Sequence, residues 1–134
     1  MGEKTIEARG IGGGARRAGW MLSILVLLFF ALDAGGKLIA PAAMIASSPP
    51  LGIPANLALY RVLGAILAIC ALLHAVPRTA ALGAVLATGY LGGAVFAQLR
   101  VGMPLFSNIL FGIYIGVAMW AGLWLRDARV RALL

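Results

Sequence analysis

Acidic residues are nearly missing from this chain: Glu3, Glu7, Asp33 and Asp127 are the only four among 134 residues. Two of them lie in the first seven positions, so no pair of carboxylates is available for acid-base work in the body of the protein. Cys70 is the only cysteine, which excludes an internal disulfide and thiol-disulfide exchange within one chain, since exchange needs two thiols. His74 is the only histidine, so a haem held by two histidines would need a second chain. Metal-ligand spacings and nucleophile–base pairs are likewise missing. The run GIGGGARR at 10–17 has the composition of a phosphate-binding loop, but no strand precedes it, and the dinucleotide fingerprint requires one.

What fills the space is apolar. Hydrophobic residues make up 63% of the chain, charged residues only 11%, and the mean hydropathy is +1.02. A soluble domain has an apolar content of about half. The excess is concentrated in runs of about 20 residues, the length of a helix that crosses a bilayer. The spacing predicts four spans: Trp20 to about Ala40, Asn56–Val76, Ala80–Leu99 and Leu105–Leu125. Strands of alternating polarity are missing, so the expected fold is all-α, an antiparallel bundle of four transmembrane helices.

The rest of the chain reads as punctuation. Residues 1–17, polar, glycine-rich and basic, are expected to form a disordered cytoplasmic tail ahead of a single membrane domain, 18–134. Residues 41–55 hold four prolines and no charge, and are expected to be an irregular loop. The PRT at 77–79 and the RVGMP at 100–104 are short links that force neighbouring helices to run antiparallel. Arg16 and Arg17 ahead of an apolar run, followed by APA at 40–42, outline a cleavable signal peptide. Two charges inside 33–37 and three further spans weigh against that alternative.

The net charge of +7 flanks apolar runs, so it implies no nucleic-acid partner. With the N-terminus inside, Lys4, Arg9, Arg16, Arg17, Arg78, Arg126, Arg129 and Arg131 fall on the cytoplasmic side, and Lys37, Arg61 and Arg100 on the other. Eight against three places both termini in the cytoplasm and the chain in the inner membrane.

Candidate functional residues gather at the outer ends of the spans. Asp33 lies thirteen residues after Trp20, about 20 Å along a helix, too deep for a short side chain to reach the headgroups. Lys37, one turn later, can snorkel. An ionised carboxylate at that depth calls for a partner. Arg61 and Arg100, with planar forks that can grip both oxygens, are expected to pair with Asp33 in preference to Lys37. Gln98 and Asn108 fall at the same level. Three cations against one anion leave two readings open, a structural clasp or a site for a small lipophilic or anionic ligand formed by Asp33, Lys37, Arg61, Gln98, Arg100 and Asn108. Gly89 and Gly93 on the third span, and Gly112 and Gly116 on the fourth, form small-residue grooves expected to pack those helices together, or a homo-oligomer face.

The segment PRTAALGAVLATGYLGGAVFAQLRVGMP at 77–104, with LRDARVRALL at 125–134, GGKL at 35–38 and LGIP at 51–54, resembles the DoxX-like family of small four-helix membrane proteins over about residues 20–134. This chain has Leu67 where members often carry a glutamate, Gln98 where they often carry a histidine, and Met103 in place of an acidic residue. The resemblance implies the fold, and through some members a link to quinone or sulfur redox chemistry. The reading is thus an inner-membrane binding or accessory subunit without catalysis of its own. The alternatives are a quinone-linked oxidoreductase subunit with a redox partner protein, and a small-molecule transporter. Quinone is the one candidate cofactor; no metal or haem is expected.

Overall fold

The computed structural model describes residues 12–47 and 56–133. Among the described residues, six α-helices run in order: α1 Gly13–Ile39, α2 Pro41–Ser47, α3 Leu57–Ala75, α4 Ala80–Arg100, α5 Phe111–Arg126 and α6 Ala128–Leu133, with a π-helical turn at Leu105–Ile109 leading into α5. Four segments among the described residues are long and apolar enough to cross a membrane: Gly13–Ile39, Leu57–Ala75, Ala80–Arg100 and Leu105–Arg126. They are spans 1 to 4 below.

The expected spans are present with shifted edges. Helix α1 begins at Gly13, so residues 13–17 are helical rather than part of an irregular tail. The expectation for residues 1–11 falls outside the described residues. Residues 41–47, expected in an irregular loop, form α2; Pro41 stands at its first position, where the missing N–H costs nothing. Residues 48–55, with the LGIP stretch, also lie outside the described residues. Span 2 starts at an Asn56 cap whose side chain accepts from the amides of Ala58, at 2.8 Å, and Leu59, at 3.4 Å. The link between spans 3 and 4 turns at Gly102, whose φ of 71° suits a residue without a Cβ.

The spans pack as a ring, 1 against 2, 2 against 3, 3 against 4 and 4 against 1. The core holds Phe30, Leu67, Met119 and Leu123, with Ala80, Ala84 and Ala87 keeping span 3 thin where it faces the interior. Leu25, Leu28, Leu32, Leu72 and Val117 point outward, as a bilayer-facing surface requires.

Close approach between helices is set by glycine, but not at all the positions expected. A Cβ placed on Gly19 would lie 2.7 Å from the carbonyl oxygen of Gly122, so spans 1 and 4 meet backbone to backbone there. One on Gly64 would lie 2.8 Å from Cβ of Lys37, joining spans 2 and 1. One on Gly83 would fall on the backbone nitrogen of His74, where spans 2 and 3 leave the PRT turn. Gly112 meets Val95, with a Cβ 2.8 Å from its Cγ2, and Gly116 meets Leu91 more loosely. Gly89 and Gly93 do not pack against another helix: among the described residues, nothing lies within 4 Å of a Cβ on either. Spans 3 and 4 touch through Leu91 and Val95, which project from another face of α4.

Candidate functional site

Spans 2 and 3 are in backbone contact at His74 and Gly83. Between them, and roofed by span 1, lies a cavity of about 730 Å³. Its interior wall is Phe29 and Phe30 from span 1 with Leu67 and Cys70 from span 2. Tyr60, Leu63, Leu67 and Cys70 are three or four residues apart and share one helix face, which explains why span 2 presents these side chains together. Span 3 contributes Gly89, Tyr90, Gly93, Ala94 and Gln98, and the start of span 4 adds Asn108 and Phe111. Met44 of α2 covers the end away from the termini; its sulfur would lie 2.8 Å from a Cβ on Gly36.

One wall of this mostly apolar space is charged. Lys37 donates from Nζ to Oδ2 of Asp33 at 2.5 Å, and the two side chains are 14% and 23% exposed. The ammonium stands 5.8 Å from the centroid of the Tyr90 ring across the cavity, inside the range of a cation–π contact. Helix α1 runs unbroken through Gly35 and Gly36, which holds the i,i+4 geometry of the pair. The expected preference for an arginine partner is therefore overturned: Asp33 is paired with Lys37.

Of the six residues expected to form the site, four line the cavity: Asp33, Lys37, Gln98 and Asn108. Arg61 and Arg100 do not, and both are exposed. The reason is helical phase. Arg61 follows the buried Tyr60 by about 100° of turn, and Arg100 follows Gln98 by about 200°. Among the described residues, the expected surplus of cations is thus not on the cavity wall, where one anion is paired with one cation. Oε1 of Gln98 is buried without a hydrogen-bond partner among the described residues. Asn108 accepts from the Ser107 hydroxyl at 2.8 Å. Tyr60, Cys70 and Met44 are cavity residues that the sequence pointed to only weakly, through the periodicity of span 2 in the first two cases and not at all in the third.

A second polar cluster sits at the end that carries the termini. Arg126 is 8% exposed. It donates from Nε to the Ser23 hydroxyl at 2.8 Å and from Nη2 to the carbonyl of His74 at 3.2 Å. Its guanidinium carbon lies 4.2 Å from the centroid of the Trp20 ring. One side chain thereby joins spans 1, 2 and 4. His74 is fully buried, with Nδ1 3.0 Å from the carbonyl of Ala80. Thr79 donates to the carbonyl of Leu73 at 2.7 Å, and Arg129 to that of Pro77 at 2.9 Å. Backbone carbonyls left open at the PRT turn are satisfied in this way, which marks the cluster as structural. No group of three or more His, Cys, Asp or Glu side chains that could hold a metal occurs among the described residues.

Comparison with known proteins adds one finding. Neither the curated proteins nor the solved structures contain a match to this sequence. A family model does match, over residues 21–122, which covers spans 2 and 3 whole, most of spans 1 and 4, and every cavity residue named above. The chain is a multi-pass membrane protein that belongs to the DoxX-like family.

Proposed function

We propose that this chain is a membrane-embedded binding or accessory subunit, and that the cavity between spans 1, 2 and 3 holds a small neutral amphipathic molecule. The observation that carries the reading is the Asp33–Lys37 pair turned into a cavity of about 730 Å³. That volume is in the range of ligand pockets, which are largely apolar with a few placed polar groups. An ion pair directed only at hydrocarbon would cost desolvation without return; a polar headgroup beside it restores hydrogen bonds. Because the pair is balanced, it favours a neutral head over an anion. Both termini are cytoplasmic in this reading, which puts the cavity in the outer leaflet of the inner membrane.

The position of Lys37 beside Tyr90 favours one second reading, a quinone-linked membrane subunit working with a soluble redox partner. A quinone carbonyl would accept from the ammonium while its ring lies against Tyr90.

The test is to purify the protein in mild detergent and identify copurifying lipophiles by mass spectrometry. Wild type should carry a molecule that the cavity-filling Ala94→Phe loses and that Lys37→Gln retains poorly. Equal lipophile content in wild type and Ala94→Phe would sink the reading. A quinone in the extract would select the redox subunit.

A further inference from the structure

Three sides of the cavity are shut by close contacts. Between spans 1 and 2, Gly64 meets Lys37 and Ala34, with a Cβ 3.0 Å from the Ala34 carbonyl. Between spans 3 and 4, Gly112 meets Val95 and the Leu91 carbonyl. Between spans 4 and 1, the Phe29 and Phe111 rings meet edge to face, with centroids 5.2 Å apart. The fourth side, between spans 2 and 3, is different. Three of its cavity-lining residues are exposed: Ile66 at 44%, Ile69 at 56% and Leu86 at 45%. Gly89 and Gly93 complete this edge, with no atom of the described residues within 4 Å of a Cβ on either.

We infer that the cavity opens sideways into the bilayer through the seam between spans 2 and 3, and that it takes a single-chain amphiphile from the leaflet opposite the termini, with the tail lying in the seam. The antiparallel register fixed at His74 and Gly83 brings Ile69 and Ile66 level with Gly89 and the turn that follows it. The absence of side chains at Gly89 and Gly93 is what keeps the seam open. On span 3 the lining runs from Leu86 to Gln98, about 18 Å along the helix, close to half of the roughly 30 Å hydrocarbon core. The cavity therefore measures one leaflet. Its polar end, at Lys37, Gln98 and Asn108, lies at the boundary, and its apolar end, at Cys70 and Leu86, lies near the midplane. A molecule with a neutral head and one chain fills that shape.

This inference rests on the ligand-binding reading above, and two probes separate the two. Binding of geranylgeraniol and of the shorter geraniol, both neutral alcohols, is measured on protein in nanodiscs. Wild type should bind both. Gly89→Leu with Gly93→Leu should lower geranylgeraniol affinity at least tenfold, lower geraniol affinity by much less, and leave the melting temperature unchanged. Ile66→Trp narrows the seam from the opposite wall and should reproduce the pattern. If both variants bind the long alcohol as wild type does, the seam is refuted while the binding reading stands. Equal loss of both alcohols together with a lower melting temperature would also refute it, as structural damage. If wild type binds neither alcohol, the cavity is no site for such molecules, and both proposals fail.

Discussion

At the end of the bundle that carries the termini, spans 2 and 3 touch backbone to backbone at His74 and Gly83; ten residues further along span 3, a Cβ on Gly93 would meet none of the described residues within 4 Å. The same pair of helices is thus a hinge-like contact at one end and an open seam at the other. The polar groups divide in the same way. Around Arg126, buried donors meet carbonyls and a hydroxyl, and the cluster ties three spans together. Around Lys37, the charges meet each other and a cavity. The Arg126 bonds make a fixed base, although Nε2 of His74 is buried there without a partner among the described residues, and that base lets the other end remain open without loss of the fold.

The largest effect should come from one substitution made at both ends of that comparison. Gly83→Ala places a methyl carbon on the His74 backbone, which cannot yield as a flexible side chain would. A loss of about 3 kcal/mol, the upper range of overpacking, is expected. Gly93→Ala meets open space and removes a helical glycine, so it should be neutral or stabilising by up to about 1 kcal/mol. Thermal unfolding in detergent measures both, and similar losses would erase the distinction between base and seam. Next in size, Arg126→Leu removes two charge-assisted hydrogen bonds and a ring contact. About 2–3 kcal/mol should be lost, and Ser23→Ala in the Arg126→Leu background should add little, because its partner is already gone. Full additivity of the two would show that the Arg126–Ser23 bond does not hold spans 4 and 1.

The sequence made the spans legible because each is a long apolar run, and their ends were found to within a few residues where proline, asparagine or arginine punctuates the chain. It did not show that α1 starts at Gly13, because GGARRAG carries no apolar period and reads as tail. The presence of Asp33 and Lys37 one helical turn apart was legible too, as was the family. The choice of partner was not. A carboxylate finds its partner by helical phase, and phase across helices depends on packing that one chain does not display. The two glycine pairs make the same point: spaced alike in sequence, Gly112–Gly116 faces a helix and Gly89–Gly93 faces a seam. Arg126 was counted as one more cytoplasmic cation, and only its burial against Ser23 and Trp20 sets it apart from the exposed Arg129.

A smaller effect should separate Lys37 from the arginines at the open end. In a double-mutant cycle, Asp33→Asn and Lys37→Gln should couple by about 1 kcal/mol, above a typical exposed helix pair because both groups are mostly buried. Asp33→Asn with Arg61→Gln should be additive within about 0.5 kcal/mol. Coupling to Arg61 instead would mean that the pair exchanges partners in the membrane.

The smallest expected effect is at the base, just beyond span 4, and it concerns pH. Burial alone would raise the Asp127 carboxyl, but hydrogen bonds from the Arg129 side chain and backbone outweigh it and hold the group below its ordinary value of 3.8. The backbone bond is 2.9 Å and the ion pair 3.3 Å. A carboxyl with a native pKa below its unfolded value stabilises the folded state above the unfolded pKa, and loses that contribution as pH falls through the native one. Wild type should therefore exceed Asp127→Asn in stability at pH 7 by no more than about 1 kcal/mol, since Arg129 is exposed. The gap should close as pH drops below about 4. Arg129 also donates to the Pro77 carbonyl, a bond that does not titrate in this range, so α6 should stay docked at pH 3 even as the gap closes. Release of α6 at that pH, seen as rapid hydrogen exchange over 128–133, would show that Asp127 rather than the Pro77 carbonyl anchors the last helix to the base.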